Sequence, residues 1–278
     1  MISQQEKAFR FRALHQREAA FILPNPWDIG TARLLAQTGF EALATTSAGF
    51  AFSRGLPDGS LSCADVLAHA AAIASATELP VSGDLENGFG DEPEIAAETI
   101  RLAAAVGLVG GSIEDASRHA DSPIYDVDHA VERVHAAAEA ARALPFPFML
   151  TARAENYLCG RPDLRDTIRR LQRYQGAGAD VLYAPGLTTR EEISAVVRSV
   201  DRPVNVLMGL AGAEFTLAEL AGLGVRRVSV GSALSRAALG AFLAGAREMR
   251  DQGTFTFARR AAGLRDLNAA FGDEGSSA

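Results

Sequence analysis

Residues 79–90 read LPVSGDLENGFG, and this stretch decides the fold. It opens on an apolar run ending at Val81, places Asp84 and Glu86 two positions apart, and turns through Gly88, Phe89 and Gly90. A short apolar run closed by glycines reads as a buried strand, with the two carboxylates where that strand should end. Seven more runs of the same kind flank it: FILPN (21–25), ALATTS (42–47), GGSIED (110–115), FPFMLTAR (146–153), ADVLYAPG (179–186), RPVNVLM (202–208) and VRRVSVG (225–231). Between them lie amphipathic stretches such as LSCADVLAHAAAIASATEL and DVDHAVERVHAAAEAARAL, rich in good helix formers. Strand and helix in alternation indicate βα units around a parallel sheet, and eight such units predict an α/β fold, the TIM (β/α)8 barrel.

The chain has 278 residues, 48% of them hydrophobic, and can bury one large core. No linker interrupts the pattern, so a single barrel domain over 1–271 is expected. A leader, SQQEKAFRFRALHQRE, should pack beneath the barrel, and Gly-Ala or Ala-Gly pairs before several strands suit helix C-caps. ALSRAALGAFLAGAREMRDQ predicts a long eighth helix whose Ala-rich, charge-poor first half suits an interface. The polar tail at 272–278, GDEGSSA, is expected to be disordered.

Charge narrows the partners. Lys and Arg total 27 against 34 Asp and Glu, a net charge of −7, and no basic cluster offers a footprint for nucleic acid or an anionic membrane. The expected ligand is a small molecule. No segment approaches about 18 consecutive apolar residues, and the N-terminus lacks a charged region followed by an apolar core, so the expected location is the cytoplasm. Cys63 and Cys159 give neither a disulfide framework nor a zinc spacing. Lys7 is the only lysine and precedes the first strand, which excludes a Schiff-base aldolase.

Barrel enzymes work at the C-terminal ends of their strands, so the residues closing each run are the candidate site. The third run supplies Asp84 and Glu86, the fourth Glu114 and Asp115, and the fifth Arg153 with Glu155 and Asn156 following. The second supplies Thr46 and Ser47, and the seventh Asn205. Carboxylates converging on one mouth repel one another unless a hard cation neutralises them, and all-oxygen ligation suits Mg²⁺ or Mn²⁺. Arg153 facing that cluster would hold an anionic substrate, ideally a carboxylate. Carboxylates at strand ends also serve as N-caps of the following helix. Asp115 and Glu155 suit such structural roles, whereas Asp84 and Glu114 lie where barrel strands point inward.

PNPWD, TTSAGFAFSRGLPDG, GDLENGFG, SIEDAS and TARAEN, in this order, resemble the isocitrate lyase and phosphoenolpyruvate mutase superfamily over about residues 20 to 240. Its acidic motif, commonly D-x-D-x-G-[FY]-G, is met by Asp84, Glu86, Gly88, Phe89 and Gly90, with Glu in place of the second Asp. The resemblance implies that Asp84 binds Mg²⁺ directly while Asp58, Glu86 and Glu114 hold its water shell. It implies that Thr46, Ser47, Ala48 and Arg153 hold the carboxylate of a 2-oxo acid. It further implies a homotetramer in which neighbouring subunits exchange the eighth helix.

Superfamily members share a metal-stabilised enolate and differ in the bond they break. Lyases carry K-[KR]-C-G-H after the fourth strand and a glutamate ending the sixth. Here the loop is ASRHADSPIYD, and the sixth run closes on Ala184, Pro185 and Gly186, so a true isocitrate or methylisocitrate lyase is not expected. The mutases place a lysine in the same loop, also absent here; Arg118 or His119 would supply the missing cation or proton donor. Three readings follow: carbon–carbon cleavage in a small 2-oxo acid, carbon–phosphorus chemistry, and 2-oxo acid binding without turnover. Retention of Asp58, Asp84, Glu114 and Arg153 favours the enzymes. The 116–126 loop, polar and poor in apolar residues, is expected to be open or disordered when empty and to close as a lid.

Overall fold

The computed structural model describes residues 2–272. Eight parallel strands form one nearly closed barrel: Phe21–Leu23, Leu43–Ala44, Val81–Asp84, Gly110–Glu114, Met149–Arg153, Val181–Tyr183, Val204–Leu207 and Arg227–Ser229. Each lies inside one of the eight apolar runs. Neighbours in sequence are neighbours in space, and the first strand pairs with the eighth. The expected disordered tail lies, beyond Gly272, outside the described residues.

Helices cover the outside, and their signals are local. Ser62, Thr189 and Thr216 each form a capping box that starts a helix, and Gly178 ends the helix Leu164–Ala177 in the left-handed conformation. The leader forms the helix Gln4–Gln16 and plugs the base of the barrel, burying Phe11 and Leu14 against Phe21, Leu23, Met149 and Val181. Glycine at position 110 makes room for that plug, because a Cβ there would lie 2.8 Å from the Phe11 ring.

The first and second strands share no ladder. Their seam is bridged by the Ala44 amide donating to the Pro24 carbonyl at 3.0 Å, and by Asn25. The buried Asn25 Nδ2 donates to the Thr45 carbonyl at 3.0 Å, while its Oδ1 accepts from the amides of Val230 at 3.0 Å and Gly231 at 2.9 Å. One side chain thus ties the first, second and eighth strands together at the mouth.

Two segments depart from expectation. Residues 116–124 are not a structureless loop but a two-stranded hairpin, Ala116–His119 against Ser122–Ile124. Poor in apolar material beyond the buried Ile124, it is held by polar pairs, among them the Tyr125 amide to the Asp115 carbonyl at 2.9 Å. At the C-terminus the predicted eighth helix, Ala233–Gln252, buries only Ser235 and Gly245 within its own chain. Beyond it a short turn, Thr256–Arg260, leads to an unforeseen helix, Leu264–Phe271, which returns to the helix Ile29–Gln37 where Gln37 Nε2 donates to the Ala270 carbonyl. Among the described residues no helix is long and apolar enough to cross a membrane.

The Asn25 bridge makes a direct prediction. Asn25→Ala leaves a carbonyl and two amides unpaired, each costing about 1–3 kcal/mol when buried. Urea denaturation should show a loss of about 3 kcal/mol or more; a loss under about 1 kcal/mol would mean that the seam is held without it.

Candidate active site

Register builds the site. The fourth and fifth strands pair over their whole length, which sets Glu114 beside Arg153; because barrel strands tilt, the same ladder descends through Tyr183 and Asn205 to Arg227, which reaches His15 of the helix at the base. On the other side Asp84 pairs with Ser112. Adjacent strands lie about 4.8 Å apart, so side chains at one level can touch. A cavity of about 150 Å³ opens at this end of the barrel. Thr46, Ser47, Ala48, Asp58, Asp84, Arg153 and Asn205, all expected in the site, line it.

Arg153 sits at the centre. Its Nη1 donates to Asp84 Oδ1 at 2.9 Å and lies 3.0 Å from Glu114 Oε2, while Nε and Nη2 each reach Glu155 Oε1 at 2.8 Å. The other oxygen of Asp84 accepts from the Ser47 amide at 3.0 Å and from Ser47 Oγ at 2.9 Å. Ser47 opens the helix Ser47–Ser53, which Thr46 caps through the Gly49 amide. Asp58 accepts from the Gly59 amide at 3.0 Å and lies 3.4 Å from Ser47 Oγ. The donors expected for a substrate carboxylate, Ser47 and Arg153, are thus engaged by the acidic cluster itself.

The charges do not balance. Burial alone would lower the Arg153 pKa, but Glu114, Glu155 and Asp84 outweigh it and hold the guanidinium well above its ordinary value. One guanidinium does not do the same for its partners. Burial pushes Glu114 well above the usual carboxylate range, and Glu155, Asp84 and Glu86 add to the rise against the pull of Arg153. Glu155 is raised by burial and by Asp115, and Asp58 by burial and by Asp84.

Glu86 follows the strand end in a turn of unusual backbone. Glu86, Gly88 and Phe89 have φ of 49°, 79° and 63°, a left-handed conformation that costs non-glycine residues of order 1 kcal/mol or more each. A side chain at Gly88 would be strained twice, by its φ and by a Cβ pressed to 3.2 Å from the Ala96 backbone. The turn buries Glu86, whose pKa burial lifts to about 7 although Arg118 partly opposes it. Arg118, itself at φ 61°, reaches from the hairpin to pair with Glu86 Oε2 and lies over the Phe89 ring. Glu86 Oε1 is buried without a partner. His119 turns outward, exposed, and pairs with Asp91 at 2.8 Å.

Glu155 is a correction to the sequence reading: it caps nothing, and its carboxylate grips Arg153. Its neighbour Asp115 does serve the scaffold, accepting from the Glu155 amide at 2.7 Å, from Tyr174 Oη and from Arg170. Tyr183 and Arg227 were not foreseen. The Tyr183 ring lies 5.1 Å from the Arg153 guanidinium carbon, and both residues line the cavity. The signal for Tyr183 was its place in a strand run, whereas Arg227 could not be told from Arg226 before the pairing of the strands was known. Cys63 and Cys159 are both free.

Among the described residues no three carboxylate, histidine or cysteine side chains converge into a ready-made cation cage. The donor set nevertheless fits a hard ion that keeps much of its water, as Mg²⁺ does. All its donors are oxygens, one is a buried orphan, and five carboxylates (Asp58, Asp84, Glu86, Glu114, Glu155) face two guanidiniums.

Glu86 gives the metal-free protein a pH signature. Its folded-state pKa of about 7 lies above the ordinary value of 4.5, so the folded protein binds the extra proton. Its contribution to stability is complete below pH 4.5 and is lost as pH rises through about 7. Without divalent ions the urea midpoint should fall between pH 5.5 and 8, and Glu86→Gln should shrink that fall. An identical pH profile in the variant would place the titration elsewhere.

Known proteins share this architecture. Residues 11–250 match the family model described as phosphoenolpyruvate phosphomutase. An uncharacterized protein of Mycobacterium tuberculosis is 33% identical over 244 residues, covering 87% of this chain and 89% of that one. A 2-methylisocitrate lyase of Shewanella oneidensis is 31% identical over 208 residues, covering 72% and 70%. A crystal structure from Burkholderia cenocepacia, given a provisional lyase/mutase label, is 64% identical with a TM-score of 0.96, covering 98% of this chain and 97% of that one. The chain belongs to the phosphoenolpyruvate phosphomutase family, within the isocitrate lyase/phosphoenolpyruvate mutase superfamily.

Proposed function

We propose that this protein is an Mg²⁺-dependent enzyme that cleaves a carbon–carbon bond in a small 2-oxo acid through an enolate, with oxaloacetate as the first candidate. The observation that carries the reading is the surplus of carboxylate around Arg153 at the mouth of a cavity sized for a small acid. An oxaloacetate decarboxylase of Chromohalobacter salexigens, 28% identical over 257 residues and covering 90% of this chain and 87% of that one, supports the substrate class. The absence of cysteine and lysine from 116–126 argues against the chemistry of the methylisocitrate lyases.

Asp84 would hold the ion, with Asp58, Glu86 and Glu114 on its waters; Mn²⁺ suits the same donors. When bound, Mg²⁺ supplies the positive charge that stabilises an enolate. The chain does the rest. Removing Asp84 from Ser47 frees the Ser47 amide, at a helix N-terminus, for a substrate carboxylate, with Thr46 and Ala48 beside it. It also frees one arm of Arg153 toward the same anion. The hairpin, tied to Glu86 through Arg118, would close over the mouth and exclude water, protecting an enolate from early protonation. Arg118, paired with a carboxylate of the site, is our first candidate to meet substrate, and His119, paired with Asp91 on the same hairpin, is the alternative proton donor.

We also infer a homotetramer built through the eighth helix. Phe242 is 70% exposed, and Leu234, Leu239, Leu243 and Met249 are exposed on the same helix, far more apolar surface than a lone helix carries in water.

Turnover tests the first reading. Purified protein with Mg²⁺ should release pyruvate and CO₂ from oxaloacetate, and Asp84→Ala should lose at least about 100-fold in kcat/KM, the scale of removing a charge-stabilising group. Phosphate release from phosphonopyruvate instead would favour carbon–phosphorus chemistry, and no turnover of either would favour binding alone. For the assembly, light scattering should give four chains for the wild type and fewer for Leu239→Glu/Phe242→Glu; a four-chain variant would move the interface elsewhere.

A further inference from the structure

Three arginines are buried in this barrel, and among the described residues only one of them, Arg170, is paired with carboxylates. Arg133 donates to the backbone carbonyls of Asn87, Gly90 and Asp91 and lies over the Tyr125 ring. Arg170 pairs with Asp115 and Asp166. Arg227, 4% exposed on the eighth strand, differs from both in lining the cavity at the mouth of which Asp84 and Arg153 sit. Its Nε donates to Asn205 Oδ1 at 2.9 Å, its Nη2 to Thr151 Oγ1 at 3.0 Å, and its Nη1 lies 3.3 Å from His15 Nε2. All three partners are neutral side chains: burial drives the His15 pKa down to about 3, so that ring carries no charge at neutral pH. Among the described residues no carboxylate forms an ion pair with Arg227.

The place of this cation matters. Barrel interiors are normally filled by bulky apolar layers. Here Arg227 lines the cavity together with Ser82, Ser112 and Ser229, so the cavity has a polar floor with a positive charge. A guanidinium has five N–H groups in a rigid fork. Three are committed to Asn205, Thr151 and His15, which fix the fork and leave two N–H groups and the whole charge without an anionic partner. The cavity volume of about 150 Å³ equals about five waters, enough for an acid of a few carbons reaching from mouth to floor. Arg153, the other cation on the cavity, is already surrounded by three carboxylates.

We propose that Arg227 is a substrate-binding residue that receives the second carboxylate of a dicarboxylic 2-oxo acid at the cavity floor, and so selects diacids over monoacids. Asn205 and Thr151 position the fork. The assignment deepens the proposed function and rests on it for the 2-oxo acid at the mouth.

Malate and lactate share a 2-hydroxy acid head and differ only in the distal carboxylate, and neither is a β-keto acid, so both serve as inert probes. Calorimetry on the full-length protein, with and without Mg²⁺, should show wild type binding malate at least tenfold tighter than lactate. In Arg227→Gln malate should weaken to the lactate level while lactate is unchanged, with the fold checked by near-ultraviolet circular dichroism. Arg227→Lys, which keeps the charge but loses the fork, should retain part of the preference and carries the test if the Gln variant does not fold. Equal affinity of wild type for the two acids, or a preference that survives in both variants, overturns the assignment. Parallel weakening of both acids also overturns it, since that is what a purely structural arginine would give. Oxalate with Mg²⁺ separates the two readings: if Mg²⁺ does not strengthen oxalate binding to wild type, the metal-dependent function fails, while the malate–lactate contrast without Mg²⁺ still decides Arg227.

Discussion

Arg153 brings a single buried positive charge among Asp84, Glu114 and Glu155, and the mouth of the barrel is arranged around that inequality. At an effective dielectric of about 20, opposite charges 4 Å apart attract by about 4 kcal/mol, and like charges repel by as much. Three carboxylates around one guanidinium therefore repel each other nearly as strongly as they are attracted. The cluster persists because its backbone is fixed independently. The paired fourth and fifth strands set Glu114 against Arg153, and Asp115, held by Tyr174 and Arg170, anchors the amide of Glu155. Core packing holds together groups that would separate in water, which is the condition for a site that gains from an added cation.

The same logic extends outward. Glu86 is buried beside this cluster by a turn with left-handed backbone at two non-glycine residues, and Arg118 reaches it from a hairpin with strain of its own. Strain of this kind survives only where the surroundings over-determine the conformation, and it concentrates at functional sites. The hairpin is tied through Arg118 to a carboxylate beside the mouth, so a change of charge there is felt by the hairpin. At the opposite end of the cavity Arg227 has neutral partners, so negative charge is concentrated at the mouth and positive charge at the floor.

The barrel was legible in the sequence because each strand is a short apolar run and each helix carries its own start signal; all eight strands lie within their runs. The third-strand carboxylates and Arg153 were legible as candidates because several charged residues close strand runs at one end of the barrel. What escaped depends on contacts distant in sequence. Glu155 follows Arg153 by two residues and reads as a cap, until the bend after the strand turns it back onto the guanidinium. Arg227 looks like a surface residue in VRRVSVG, because nothing local says which of two adjacent arginines faces inward; pairing with the seventh strand decides it. The hairpin escaped because its pairs, Arg118 with Glu86 and His119 with Asp91, join residues about thirty positions apart and carry no apolar pattern.

The central claim is that the surplus of carboxylate at this mouth is a divalent-cation site. Anomalous scattering from crystals grown with Mn²⁺, collected at the manganese edge, tests it most directly. The account predicts one strong peak beside the Asp84 carboxylate, with Arg153 and Ser47 drawn away from the oxygens they now contact. No peak at the mouth, with Arg153 and Ser47 still bound to Asp84 at saturating Mn²⁺, would show that the guanidinium and the scaffold alone balance the cluster, and would contradict it.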